Sequence, residues 1–171
     1  PPLARSADGA ATADAVWALA QSRDDGKARR VVAVVVLDAT TLARSLYLLA
    51  QVAQTGVPLV VALTMLDLAA TATDSPTATT EPEALAAALA ASLGVPVVPV
   101  DSRNRADGGM RRLATAVDDV AANPLRVTGI SESPIGTGQF TDIEQELAQA
   151  EVLFAWVEQV VEQVNTCAAP K

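Results

Sequence analysis

The chain has 171 residues, half of them apolar and only 3% aromatic, and a formal net charge of −8. This length suits one domain, with or without a helical appendage, and the acidic balance argues against a nucleic-acid partner because phosphate binding requires a concentrated basic face. With no histidine and one cysteine, the chain lacks the residues for Ser-His-Asp or Cys-His catalysis, for the usual zinc sites and for an internal disulfide.

Helices and strands are predicted to alternate along the chain. The predicted helices cover 8–26, 41–56, 82–93 and 108–124, and the predicted strands cover 29–40, 57–67 and 94–102. All three strands are apolar without alternation, as is typical of strands covered on both faces, and Pro99 favours an edge position or a short strand for the third. Short connections then predict an α/β fold, a parallel sheet with helices on both faces.

The C-terminal third is predicted to be a linker or loop at 124–141, followed by a helical extension at 142–171. An amphipathic helix is expected from 142 to 165. Its apolar stripe comprises Ile143, Leu147, Val152 or Leu153, Trp156, Val160 and Val164. The stripe most simply packs on the domain, whereas exposed Leu153, Phe154 and Trp156 would favour self-association into a homo-oligomer.

Polar residues follow each predicted strand: Asp38, the segment from Thr64 to Asp67, and Asp101-Ser102. In a doubly wound sheet, ligands bind beyond the carboxyl ends of the strands, so these residues mark a candidate site. The alternative is that they only cap helices and turns, and Asp38 in particular resembles a cap for the next helix.

Several stretches resemble the guanine-nucleotide-binding (G) domain of bacterial ferrous iron transporters of the FeoB type. The guanine-specificity motif of that superfamily is Asn or Thr, Lys, any residue, Asp, and "VVALTMLD" ends in Thr64, Met65, Leu66 and Asp67. "DATTLARSLYL" resembles the preceding strand and helix, "LGVPVVPVDSR" the loop under the base, and "AEVLFAWVEQVV" the helix that follows the domain. The resemblance implies a P-loop GTPase-like fold for residues 1–123 and covers most of the chain.

The resemblance also implies roles at the base. Asp67 accepts hydrogen bonds from the guanine edge, Thr64 braces the loops through its hydroxyl, and Met65 lies over the base. In the loop Asp101-Ser102-Arg103, the backbone N–H of Ser102 contacts the base oxygen. GTP or GDP is therefore the expected ligand, and no metal-binding residues are predicted within the chain.

No phosphate-binding loop of the form G-x-x-x-x-G-K-[ST] occurs in the sequence, whose two lysines are Lys27 and Lys171. Gly136 and Gly138 lie in a segment without lysine that is better interpreted as a loop. The resemblance therefore implies an incomplete domain, with the P-loop and first switch upstream of Pro1. Mg²⁺ and hydrolysis are expected only of the complete domain.

Three functions remain open. The first is part of a transporter G domain that couples GTP binding and hydrolysis to iron(II) uptake at the cytosolic face of the inner membrane, with the transporter's membrane portion as partner. The second is a degenerate GTPase-like module acting as a scaffold or regulatory surface. The third is an unrelated enzyme that uses Asp38 and Asp67 as paired carboxylates. No apolar run reaches the roughly 18–20 residues that span a bilayer, so the chain is predicted to be soluble and cytosolic.

Overall fold

A three-stranded parallel sheet is the centre of the computed structural model. The structure describes residues 15–16, 18, 23–24, 27–28, 31–71, 81–101, 103–104, 108–131 and 143–168. The sheet strands are β3 (Ala33–Asp38), β4 (Leu59–Thr64) and β5 (Val97–Pro99), in that order, with Asp38 paired to Thr64 and Leu63 to Pro99. The predicted parallel α/β fold is confirmed, and β5 is a short edge strand, as Pro99 indicated.

Within the described ranges, four longer helices pack beside the sheet or on one another, and a short one follows β4. A 3₁₀ turn (Ala39–Thr41) leads into α1 (Leu42–Ala53), and α2 (Leu66–Thr71) follows β4 directly. The others are α3 (Pro82–Leu93), α4 (Gly109–Ala122) and α5 (Ile143–Ala168). The sequence predicted α3 to the residue because Pro82 suits the first helical turn and Gly94 takes the left-handed conformation (φ 73°) that ends the helix.

One face of the sheet carries the main core. Alternate side chains of β3 and β4 are buried in one cluster with residues from α1, α3 and α5. The strand members are Val35, Leu37, Leu59, Val61 and Leu63. Burial of each such side chain stabilises the fold by roughly 1.5–3 kcal/mol, so this cluster is the principal source of stability.

The opposite face is covered only in part. Ala62, Val98 and Val100 pack under α4, whereas Val34 and Val36 of β3 are 44% and 57% exposed. The prediction that all three strands are covered on both faces is therefore wrong for β3 among the described residues. No described strand pairs with the outer edge of β3 either, so one face and one edge of that strand are open.

The first predicted helix, 8–26, is also wrong at its C-terminal end. Ala15, Val16 and Ala18 are helical, but β1 (Arg23–Asp24) and β2 (Lys27–Ala28) form a small antiparallel ladder. Asp25-Gly26 stands between these strands, and Asp-Gly is a strong hairpin turn signal. The turn signal outweighed the helical periodicity that precedes it.

The long helix α5 packs against both α1 and α3. Leu153, Trp156, Val160 and Val164 are buried, Val152 is exposed, and Phe154 stacks on Tyr47 with ring centroids 4.7 Å apart. The described part of the stripe therefore packs on the domain, and the side chains of Ile143 and Leu147 lie outside the described residues. Leu153 and Trp156 lack the exposure that would have favoured self-association. Part of the predicted linker also joins the core, because Val127 is buried and the Thr128 N–H donates to the Leu93 carbonyl at 2.8 Å.

Candidate functional site

A cleft of about 740 Å³ lies beyond the carboxyl ends of β4 and β5. Its walls come from the β4–α2 junction, the start of α3, the end of β5 with the loop after it, and the first turn of α4. The lining residues are Thr64, Met65, Leu66, Asp67, Leu68, Pro82, Glu83, Pro99, Val100, Asp101, Arg103 and Arg112. A cleft of this size at strand ends is a typical small-molecule site.

Met65 determines how the chain leaves β4. It has φ 58° and is the one residue other than glycine with a positive φ in the described part of the chain. The predicted strand 57–67 therefore ends at Thr64, and α2 begins at Leu66. This turn places Asp67 in the first turn of α2, where it faces the cleft. A left-handed conformation is unfavourable for methionine, and such strain is common at functional sites.

Thr64 connects β4 to β3. Its hydroxyl donates to the Leu37 carbonyl at 3.1 Å, one register position before the paired residues Asp38 and Thr64. The hydroxyl thus braces the strand ends at the base of the cleft. Its backbone position also sets where Met65 turns.

Asp67 and Arg103 form an ion pair inside the cleft. The Arg103 Nη2 donates to Oδ2 of Asp67, and the two side chains are 68% and 47% exposed, respectively. The hydrogen bond from Arg103 lowers the pKa of the Asp67 carboxyl below its ordinary value. The Asp67 carboxylate in turn raises the pKa of Arg103. Asp67 is therefore an ionised acceptor that the Arg103 guanidinium engages.

Asp101 also contacts Arg103. Its Oδ1 accepts a hydrogen bond from the Arg103 backbone N–H at 2.9 Å and lies 3.6 Å from Arg103 Nε. Ser102, whose N–H is expected to contact the base oxygen, lies outside the described residues. The predicted loop residues Asp101 and Arg103 thus meet Asp67 in one cleft.

Asp38 takes no part in the cleft lining. Its Oδ1 accepts from the Thr40 N–H at 2.8 Å and from the Thr40 hydroxyl at 2.6 Å, so it caps the 3₁₀ turn. The capping interpretation is confirmed. The cleft lining includes Asp67 and Asp101 but not Asp38, so the cleft gives no support to an enzyme with Asp38 and Asp67 as paired carboxylates.

Arg112 and Glu83 were not predicted from the sequence. Arg112 Nη2 donates to the Pro99 carbonyl at 3.3 Å and lies 3.5 Å from Glu83 Oε1, so the pair links α4, β5 and α3 along one wall. One sequence signal was present: an arginine in the first turn of a helix is unfavourable beside the N-terminal dipole unless it has a partner elsewhere.

The cleft suits a planar base that offers hydrogen-bond donors. Asp67 supplies a charged acceptor, and the Met65 side chain, 48% exposed, supplies a polarisable apolar surface beside it. No group of three His, Cys, Asp or Glu side chains within the described ranges is arranged to hold a metal ion. In the same ranges, no helix combines the length and the apolar character that a bilayer crossing requires.

The fold and site define an α/β protein with a candidate ligand cleft beyond the carboxyl ends of a parallel sheet. Within that class, a family model described as Ferrous iron transport protein B matches residues 26–117, more than half of the chain. The chain belongs to this family.

Individual relatives support this family assignment. The chain is 40% identical over 89 residues to the Fe(2+) transporters FeoB of Escherichia coli (strain K12) and Shigella flexneri, covering 52% of this chain and 10% of each relative. The chain thus spans about a tenth of the length of these transporters. The structure of the cytosolic domain of L. pneumophila FeoB superposes with a TM-score of 0.56 at 17% identity, covering 86% of this chain and 70% of that one. This superposition shows the same fold.

Proposed function

We propose that this chain is part of the GTP-binding domain of a ferrous iron transporter, in which guanine-nucleotide binding and hydrolysis are coupled to iron(II) uptake. The observation that carries the proposal is the ionised carboxylate of Asp67 in a base-sized cleft at the strand ends. Membership of the ferrous iron transport family supports it. The membrane portion of the same transporter is the proposed partner, at the cytosolic face of the bacterial inner membrane.

Asp67 reads the base through its two oxygens. Guanine presents adjacent N1–H and N2–H₂ donors, and one carboxylate accepts both in a fork. Adenine has no such pair of donors on that edge, and it would leave the acceptors of Asp67 without partners. This difference gives a preference for GTP or GDP over ATP.

The neighbouring residues complete the base site. The Met65 side chain packs against the base, in place of the lysine stem that the superfamily motif carries there. Thr64 keeps the strand ends together through Leu37, and the backbone N–H of Ser102 donates to the base oxygen.

The phosphates require a segment that the 171 residues do not contain, since no G-x-x-x-x-G-K-[ST] sequence is present. The open edge of β3 and the exposed Val34 and Val36 provide a surface for a further parallel strand and its helix. We assign that surface to the phosphate-binding segment, and Mg²⁺ is expected only when that segment is present. A reading frame upstream of Pro1 without this motif would contradict the assignment.

The test of base reading is a change of specificity at Asp67 in the full-length protein. Asp67→Ala is expected to abolish binding of fluorescent GDP. Asp67→Asn is expected to weaken GDP and to strengthen xanthosine diphosphate, because xanthine replaces the N2 amine with a carbonyl that an amide N–H can meet. Unchanged GDP affinity in both variants would remove Asp67 from base recognition.

A degenerate module that serves as a scaffold is the second candidate. The observation that favours it is the missing phosphate loop in these residues. GTP hydrolysis assayed with Mg²⁺ separates the two: turnover by the full-length protein supports the transporter G domain, and binding without turnover supports the scaffold.

A further inference from the structure

Arg103 engages Oδ2 of Asp67, one of the two oxygens that a guanine base would contact under the proposed function. Its Nη2 donates to Oδ2 of Asp67 across a separation of 36 residues, and both side chains line the cleft. An arginine guanidinium is planar and presents N–H donors in a fixed fork, which is the pattern that suits a carboxylate. The N1–H and N2–H₂ edge of guanine presents an equivalent pair of donors. A base that uses both carboxylate oxygens must therefore compete with the arginine for Oδ2.

Asp101 keeps the arginine in place. Its carboxylate accepts from the Arg103 backbone N–H at 2.9 Å and lies 3.6 Å from Nε of the same guanidinium. Arg103 is thus held between two carboxylates, with one nitrogen directed at each.

We propose that Arg103 acts as an internal substitute for guanine, occupying Asp67 in the empty site until a nucleotide base displaces it, with Asp101 as its positioning residue. This inference rests on the proposed function of the cleft. Breaking the Arg103–Asp67 ion pair costs free energy that offsets part of the free energy of guanine binding. The wild-type site is therefore expected to bind guanine nucleotides more weakly than the same cleft without Arg103.

The experiment measures GDP affinity in the full-length protein with Arg103→Ala, Arg111→Ala and Asp67→Ala variants. Arg111 is an exposed arginine of α4 that does not line the cleft, so its variant controls for the loss of one positive charge. Arg103→Ala is expected to bind GDP about two- to fivefold more tightly than the wild type, the range typical of an exposed ion pair. Arg111→Ala is expected to match the wild type.

Ionic strength gives a second readout that a simple packing change would not produce. Between about 0.1 M and about 1 M salt the Debye length falls from about 10 Å to about 3 Å. The ion pair weakens over this range, so the affinity gap between wild type and Arg103→Ala is expected to close. Asp101→Ser is expected to tighten GDP binding in the wild type and to have no effect in an Arg103→Ala background.

The outcomes separate this inference from the proposed function. If Arg103→Ala binds GDP equally or more weakly while Asp67→Ala abolishes binding, the substitute role is wrong and base reading by Asp67 stands. If Asp67→Ala leaves GDP affinity unchanged, base reading itself fails and the substitute role fails with it. The inference is also overturned if the difference in GDP affinity between wild type and Arg103→Ala persists at high salt. It is overturned as well if Asp101→Ser tightens GDP binding as much in the Arg103→Ala background as in the wild type.

Discussion

The hydroxyl of Thr64 donates a hydrogen bond to the carbonyl of Leu37 at 3.1 Å, joining the ends of β4 and β3 directly below the cleft. Thr64→Val removes the donor and keeps the β-branched shape. We expect the free energy of unfolding to fall by about 0.5–1.5 kcal/mol, because the partly buried Leu37 carbonyl loses its partner. Urea unfolding measures the change. Thr64→Ser, which keeps the hydroxyl, is the control, and equal loss in both variants would contradict the assignment.

Because the backbone of Met65 is left-handed, we expect a glycine variant at this position to be more stable than an alanine variant, the reverse of the usual order. At most positions glycine is less stable than alanine by about 0.5–1 kcal/mol. At Met65, φ 58° penalises any residue with a Cβ. We therefore expect Met65→Gly to unfold at a higher urea concentration than Met65→Ala. The opposite order would show that this conformation costs nothing.

The ion pair to Arg103 predicts a shift in the titration of Asp67. The guanidinium lowers the pKa of the Asp67 carboxyl, so Arg103→Ala is expected to return that pKa towards its ordinary value. The sign for stability follows: a lowered carboxyl pKa stabilises the folded state above the unfolded pKa, and this contribution disappears as the pH falls through the folded value. The titration of Asp67 by carbon NMR measures the shift.

Arg111→Ala is the control for that titration, because it removes the same charge from a position outside the cleft. An Asp67 pKa that moves equally in both variants would reflect the overall charge of the chain. Movement in Arg103→Ala alone identifies the direct contact.

Adding one methyl group at Gly94 is expected to destabilise the fold strongly. Gly94 ends α3 with φ +73°, and a Cβ there would lie 2.3 Å from Oγ1 of Thr128. Gly94→Ala is expected to destabilise the fold by at least about 1 kcal/mol through the left-handed backbone alone, and further through the collision. Thermal or urea unfolding measures the loss. Thr128→Ala in the same background removes the colliding oxygen and is expected to restore part of the stability.

The fold was predictable where local signals agreed with packing. Pro82 and Gly94 bounded α3, and the apolar runs of β4 and β5 indicated a parallel sheet. The exposed face of β3 was not predictable, because a continuous apolar strand has the same sequence whether or not a helix covers it. The β1–β2 hairpin was missed because the helical period before it was extended through Asp25-Gly26.

The sequence predicted several of the residues that line the cleft, but it did not predict how they are arranged in space. The motif around Asp67 and the loop around Asp101 identified two walls of one cleft. The wall made by Arg112 and Glu83 comes from two helices that follow one another along the chain with β5 between them. Their contact depends on how α3 and α4 flank β5, which no short pattern encodes.

The sequence by itself determined the chemical groups: a carboxylate after a buried strand, a hydroxyl three positions before it, and an arginine in the loop after the next strand. Only the tertiary structure decided that the arginine contacts the carboxylate. Strand identity follows from local apolar patterning, whereas a contact across 36 residues depends on the register of β4 with β5 and on the turn that Met65 makes.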